Sequence, residues 1–234
     1  MRTETAAVTT SDGLSLAADL TLPDGQVRGA AVVCHPHPLY GGDRHNPVVG
    51  ALVEALVHSG VATVKFDFRG AGGSPGRHDD GRAELLDVAA ALDTAIAAAQ
   101  RARNAPATSA GLPVVDTERS IPVVLAGYSF GALMALAIVD ERITAWLAVA
   151  PPLRPGGSLI GDAPLRAASD PRPKHLLVAA HDQFASPAVV HDATTDWKSV
   201  TIVELPSADH FLNGAHHLIR AETTAFAITL LPTA

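Results

Sequence analysis

Residues 121–139 read IPVVLAGYSFGALMALAIV. An apolar run of strand length, IPVVLA, ends at Gly127-Tyr128-Ser129-Phe130-Gly131. A second apolar run, FGALMALAIV, follows at once and is built from helix-forming Ala, Leu and Met. A strand apolar on both faces that feeds straight into a helix is the unit of a buried parallel sheet. The junction fits G-x-S-x-G, which carries chemistry where a strand turns sharply into a helix and lifts the serine hydroxyl above the sheet edge. Small residues two before and two after the serine relieve the crowding of such a turn. Ser129 is therefore the candidate nucleophile.

The alternation continues on both sides of this stretch. Residues 3–10 and 15–23 alternate around Asp12-Gly13 and predict an opening β-hairpin. Residues 29–34 (GAAVVC) are a second fully apolar strand. Asn46-Pro47 predicts a helix start, with Gly60 placed to stop it. Strand 61–68 leads into the turn RGAGGSPG, and helical spacing runs from about Arg82 to Arg103. Asp79, Asp80 and Glu84 near its start and Arg101 and Arg103 near its end match the helix dipole. The polar residues 104–120 read as a loop or a frayed extension. After the elbow come a helix at 130–140, strands at 143–149, 175–180 and 200–205, a helix at 187–197 and a closing helix at 213–231. A hairpin followed by alternating strands and helices predicts one α/β domain over residues 1–234, its mostly parallel, twisted sheet covered by helices on both faces. Residues 151–173, rich in Pro and Gly, interrupt the pattern and are too long for an ordinary connection. Leu153, Leu159, Ile160 and Leu165 give them apolar surface for a short lid or loop insertion.

Composition narrows the function classes. Of 234 residues, 47% are hydrophobic and 18% charged, which is enough for a full core. Lys plus Arg is 17 against 24 Asp plus Glu, a net charge of −7 without a basic cluster. Nucleic acid and an anionic membrane face are therefore poor partners. The single cysteine, Cys34, excludes an internal disulfide and a cysteine-built zinc site. The N-terminus shows no charged patch leading into an apolar run, and no apolar run approaches the roughly 20 residues of a membrane span. A cytoplasmic protein is expected, and no residue pattern marks an interface for a homo-oligomer.

A serine nucleophile needs a base, and the base needs a carboxylate to hold its tautomer. Gly72-Gly73-Ser74-Pro75-Gly76 also fits G-x-S-x-G, but Pro75 has no N–H to offer an oxyanion and no apolar helix follows. Ser74 is thus a turn residue. In a strand-to-helix elbow fold the order is serine, acid, histidine, each at the C-terminal end of a strand. Asp182 follows the strand at 175–180, and His210 follows the strand at 200–205. These are the expected acid and base. Asp162 and Asp170 are weaker acids because they sit in the inserted segment. Asp209 is expected to face solvent or cap a helix, His181 to point away, and His216 and His217 to lie on the last helix. Phe130 N–H supplies one oxyanion donor. The second comes from the loop Cys34-His35-Pro36-His37-Pro38-Leu39-Tyr40-Gly41-Gly42, where two prolines leave His37 or Leu39. Tyr40, Tyr128 and Phe211 are expected to bind substrate, although Phe130 fits equally well as a core residue.

The HPHPLYGG loop, the FDFRGAGGSPG turn, the GYSFGA elbow, His181-Asp182 and Asp209-His210 together resemble the α/β-hydrolase superfamily across essentially the whole chain. More narrowly, the sequence is similar to small bacterial hydrolases related to dienelactone hydrolases. The resemblance implies a Ser–Asp–His hydrolase of esters or thioesters that needs no cofactor. A lid of about two dozen residues at most predicts small acyl substrates of short to medium length. The chain departs from dienelactone hydrolase proper, whose nucleophile is cysteine. Cys34 lies at a strand end instead, where packing is its expected role.

Two rival readings compete with this one. His35-Pro36-His37 has the form of an H-x-H metal pair, but a metal-dependent hydrolase would need further ligands, such as Asp67 or His210. Bracing of the oxyanion loop is the preferred role for His35. The other rival is a non-catalytic binding protein on the same fold.

Overall fold

The computed structural model describes residues 1–104, 120–158 and 164–231. Ten strands occur among them. These are β1 (Arg2–Thr9), β2 (Ser15–Leu22), β3 (Gly29–Cys34), β4 (Val61–Phe66) and β5 (Val123–Tyr128), followed by β6 (Ala145–Val149), β7 (Leu153–Arg154), β8 (Gly157–Ser158), β9 (Lys174–Ala179) and β10 (Val200–Leu205). Eight form one sheet in the order β1-β2-β4-β3-β5-β6-β9-β10, while β7 and β8 form a separate two-stranded hairpin. The pairs β1–β2 and β2–β4 are antiparallel and every other pair in the large sheet is parallel. This is the mostly parallel sheet of an α/β-hydrolase.

The continuous apolar runs are explained by burial on both faces. Along β3, Ala30, Val32 and Cys34 pack into one core and Ala31 and Val33 into the other. In β5, Val123 and Leu125 face the first core, Val124, Ala126 and Tyr128 the second. The first core is closed by α2 (Glu84–Asn104) and α3 (Phe130–Ala137), the second by α1 (Pro47–His58) and α5 (His216–Leu230). A short helix, α4 (Pro187–Ala193), sends Val190 into the first core. Cys34 is fully buried, and burial pushes its thiol well above the usual cysteine range, so packing is its role.

Most element ends fall within a few residues of expectation, and the exceptions have local causes. Asn46 caps α1 by accepting from Val48 N–H at 2.9 Å, and Pro47 opens it. Helix α3 stops at Ala137 rather than residue 140 because Ile138 turns extended, and its carbonyl accepts from Trp146 Nε1 at 3.1 Å. Helix α4 ends at Ala193, where the Thr194 hydroxyl donates back to Val190 O at 2.8 Å. Helix α5 begins at His216 because Leu212 (φ 57°) and Gly214 (φ 78°) turn the chain just before it. Among the described residues no helix is long and apolar enough to cross a membrane.

Within 151–173, Leu153 and Ala167 are fully buried in the first core and Leu165 packs against it. Leu159, Ile160 and Asp162 lie outside the described residues, as do residues 105–119 of the polar stretch.

Candidate active site

Ser129 sits between β5 and α3 with φ 53° and ψ −117°. Such a conformation costs a non-glycine residue about 1–3 kcal/mol and persists only where the surroundings enforce it. Here the enforcement is visible. Ser129 N–H donates to Val149 O at 2.9 Å, tying the elbow to β6. A Cβ on Gly127 would lie 2.2 Å from Gly131 O, and one on Gly131 would lie 2.3 Å from Cys34 O. Both positions demand glycine because backbone passes against backbone.

Ser129 Oγ lies 2.9 Å from His210 Nε2, and His210 Nδ1 lies 2.8 Å from Asp182 Oδ2. All three residues are buried, and each stands just beyond a strand: Ser129 after β5, Asp182 after β9, His210 after β10. The other Asp182 oxygen, Oδ1, accepts from Phe184 N–H (2.8 Å) and Ala185 N–H (3.0 Å). With the carboxylate so anchored, Oδ2 is left to accept the Nδ1 proton of His210. The backbone of His210 is held as well. Its N–H donates to Gln183 Oε1 (3.3 Å) and its carbonyl accepts from the Tyr128 hydroxyl (2.8 Å).

The lookalike residues have other occupations. Ser74 Oγ donates to Asp67 O (2.7 Å) and accepts from Ala17 N–H (2.9 Å), which makes it a turn residue. Asp209 caps its own turn through Phe211 N–H (3.0 Å) and Leu212 N–H (3.2 Å). Asp170 pairs with Arg172 at 2.7 Å, and His181 is exposed. His217 is exposed on α5 and reaches Gly214 O.

The loop after β3 shows how its donors are spent. His37 caps the short 3-10 turn Pro38–Tyr40, its Nδ1 accepting from Leu39 N–H at 3.2 Å. Burial, and then the neighbouring His78, hold the His37 imidazole below the usual histidine range, which keeps it neutral and able to accept. Leu39 N–H is thereby occupied. Among the described residues neither His37 N–H nor Phe130 N–H meets an acceptor. His35 is buried, accepts from Phe68 N–H at Nε2 (2.9 Å) and has Nδ1 2.6 Å from Pro36 O. Its proton therefore rests on Nδ1, and burial lowers its pKa to about 4. Both ring nitrogens are committed to bracing the loop, which leaves none for a metal. Among the described residues no group of three His, Cys, Asp or Glu side chains is arranged to hold an ion.

A cleft of about 420 Å3 opens over Ser129 and His210. Tyr40 (85% exposed) and Phe211 (55% exposed) stand at its rim, as does Phe184, whose ring centroid is 4.5 Å from that of His210. Tyr128 also lines it, with its hydroxyl spent on His210. Among the described residues of the 151–173 segment, Pro152 reaches the cleft. The Phe130 ring is fully buried in the first core, so this residue turns only its backbone toward the site. Sequence reasoning missed Phe184, which lies two residues past the acid on an exposed turn without periodicity.

A mostly parallel sheet, a strained elbow serine and a His–Asp pair on the following strand ends define the class, an α/β serine hydrolase. The sequence model of the X-Pro dipeptidyl-peptidase (S15) family matches residues 12–160, more than half of the chain, and the chain belongs to that family. The matched span contains Ser129 and ends before Asp182 and His210. An uncharacterized protein of Rickettsia prowazekii (strain Madrid E) is 29% identical over 222 residues, covering 88% of this chain and 82% of that one. An α/β serine hydrolase homologue from Coxiella burnetii superposes with a TM-score of 0.78 at 27% identity, over 97% of this chain and 98% of that one. A Xanthomonas campestris protein described as an α/β serine hydrolase without a lid gives 0.75 at 25% identity, over 100% and 97%.

Proposed function

We propose that the protein hydrolyses small, uncharged carboxylic esters or thioesters through an acyl-enzyme on Ser129. The observation that carries this is the Oγ–Nε2–Nδ1–Oδ2 chain, 2.9 and 2.8 Å long, at the floor of an open apolar cleft. His210 Nε2 takes the Ser129 proton as Oγ attacks the acyl carbon. The carbonyl oxygen becomes an oxyanion received by Phe130 N–H and His37 N–H, neither of which meets an acceptor among the described residues. His210 then gives its proton to the leaving alcohol or thiol, and the acyl group stays on Ser129. Water enters, loses a proton to His210 and attacks the ester. The carboxylic acid leaves as Oγ regains its proton. Asp182 keeps the Nδ1 proton in place and offsets the imidazolium charge in both halves.

Substrate size follows from the cleft. Tyr40, Phe184 and Phe211 give an acyl or alcohol group apolar contact, and the 151–173 segment contributes Pro152 as a minimal cover. Short to medium acyl chains are therefore preferred. On a panel of chromogenic esters of graded length, kcat/KM is expected to peak at short to medium chains. A maximum at long chains would contradict the assignment. A fluorophosphonate probe should label Ser129, whereas an unreactive Ser129 in folded protein would favour a binding protein on this fold. The single buried cysteine suits a reducing cytoplasm.

The family match favours a second reading, cleavage of a peptide after an N-terminal X-Pro pair. A dipeptidyl peptidase must recognise a free α-ammonium two residues from the scissile bond, which calls for a carboxylate facing the cleft. Among the described residues lining it there is none. An X-Pro chromogenic amide is accordingly expected to turn over far more slowly than the best ester, and comparable rates would reverse the preference.

A further inference from the structure

Behind the oxyanion loop lies a cluster that the reaction scheme above does not use. His78, on the loop leading into α2, is half-buried, with its side chain only 5% exposed. Its ring centroid stands 4.8 Å from that of His37 and 5.4 Å from that of Phe130, and the His37 and Phe130 rings are themselves 5.0 Å apart. These are the two residues whose N–H groups are assigned above to the oxyanion. On its far side His78 Nδ1 lies 2.7 Å from Oε1 of Glu84, whose side chain is fully buried, and Nε2 lies 3.5 Å from Asp80, but neither ring nitrogen has the alignment of a hydrogen bond. Glu84 is fixed in turn, accepting from Asp79 N–H (2.8 Å) and Gly81 N–H (3.0 Å). The loop carrying these groups sits directly on the elbow helix, since a Cβ on Gly81 would meet Met134 Cε at 2.9 Å and the Phe130 ring at 3.8 Å.

We propose that His78 is a positioning residue of the oxyanion hole, its ring wedged against His37 and Phe130 and backed by the buried Glu84 carboxylate, so that both donors keep one separation and direction. The physical need is specific. Phe130 belongs to the rigid start of α3, whereas His37 belongs to a loop held by its prolines, by His35, by its carbonyl accepting from the N–H groups of Tyr40 and Gly42 (both 3.1 Å), and by its own cap on Leu39. All but the last act on the backbone. The last depends on the His37 ring staying where it is. His78 and the buried Phe130 ring hold that ring on its inner side, whereas Tyr40, also in contact with His37 (4.7 Å), is 85% exposed and gives little restraint. A donor displaced by about 1 Å can cost on the order of a hundred-fold in rate, whereas substrate binding in the open cleft is untouched.

This inference rests on the Ser129 reading, and the test separates the two. His78→Asn keeps a polar group toward Glu84 but removes the ring contacts, while His78→Phe keeps the ring and gives up the pairing. With the preferred ester, His78→Asn should lower kcat about ten- to hundred-fold with KM within about two-fold. His78→Phe should recover most of the loss. A trifluoromethyl ketone, which adds Ser129 Oγ across its carbonyl and places an oxyanion in the hole, should weaken in proportion to kcat in each variant. A purely structural role would lower the melting temperature without that proportionality. Unchanged kcat and inhibitor affinity in His78→Asn, or a His78→Phe protein as slow as His78→Asn, would overturn the proposal. If one variant does not fold, the other decides alone: folded His78→Asn must show the linked loss, and folded His78→Phe must retain near-native kcat. Should Ser129→Ala remain active, the reaction scheme fails and takes this inference with it. An inactive Ser129→Ala beside an unaffected His78→Asn removes only the inference.

Discussion

Ser129→Ala is expected to lower kcat on the preferred ester on the order of a million-fold while leaving the fold intact. The loss is large because every step passes through Oγ: without it there is no acyl-enzyme, and the His210–Asp182 pair has only water to activate. The fold should survive because, among the described residues, the Ser129 hydroxyl bonds His210 Nε2 alone and makes no cap on α3. The backbone bond from residue 129 to Val149 O and the glycines at 127 and 131 do not depend on the side chain. Alanine keeps the same Cβ, so the positive φ is no harder to hold. Circular dichroism and thermal melting close to those of the native protein, with only the small residual hydrolysis that binding and the oxyanion donors sustain and no fluorophosphonate labelling, would constitute the result. Substantial residual turnover would move the nucleophile elsewhere and remove the acyl-enzyme scheme.

The layout of the site was legible because it follows from strand ends. An elbow needs an apolar strand, a glycine on each side of the serine and an apolar helix, and all of these are contiguous in residues 121–139. Asp182 and His210 could be placed because each follows a strand, a nearly continuous apolar run before Asp182 and the β-branched run VTIVEL before His210. The false elbow at Ser74 could be dismissed from Pro75 alone. What could not be read depended on contacts between segments far apart in the chain. The choice between His37 and Leu39 turns on the His37 side chain capping its own loop, a matter of rotamer and burial rather than residue type. Glu84 read as a surface charge complementing a helix dipole, yet it is a fully buried anchor for a loop. Its reach back to Gly81 N–H, three residues earlier, is half of a capping box, and that spacing was the available signal. His78 carried none, because its neighbours His37 and Phe130 lie some forty and fifty positions away. The apolar residues of 151–173 were ambiguous for the same reason: a leucine in an irregular segment packs equally well over a cleft or into a core, and Leu153 takes the core.

Asp182→Asn should lower kcat by about four orders of magnitude with little change in stability, because the surrounding hydrogen bonds leave the amide one useful orientation. Asp182 Oδ1 accepts from the N–H groups of Phe184 and Ala185. Turning the asparagine NH2 toward those two donors would bury two clashing N–H pairs, so the amide oxygen must stay there and the NH2 must face His210 Nδ1. A donor then stands where an acceptor was. His210 can meet it only with an unprotonated Nδ1, which forces its proton onto Nε2, the atom that must receive the Ser129 proton. The base is thus blocked in its resting state, and the imidazolium formed during attack has lost its counter-charge. The substitution is nearly isosteric and both backbone contacts persist, so the protein should fold. The ring should carry its proton on Nε2 by nitrogen NMR, in place of the native Nδ1. Activity within ten-fold of native would mean that Asp182 does not orient the base, and a collapse of the fold would mean that the Asp182 charge, rather than its geometry, holds this turn.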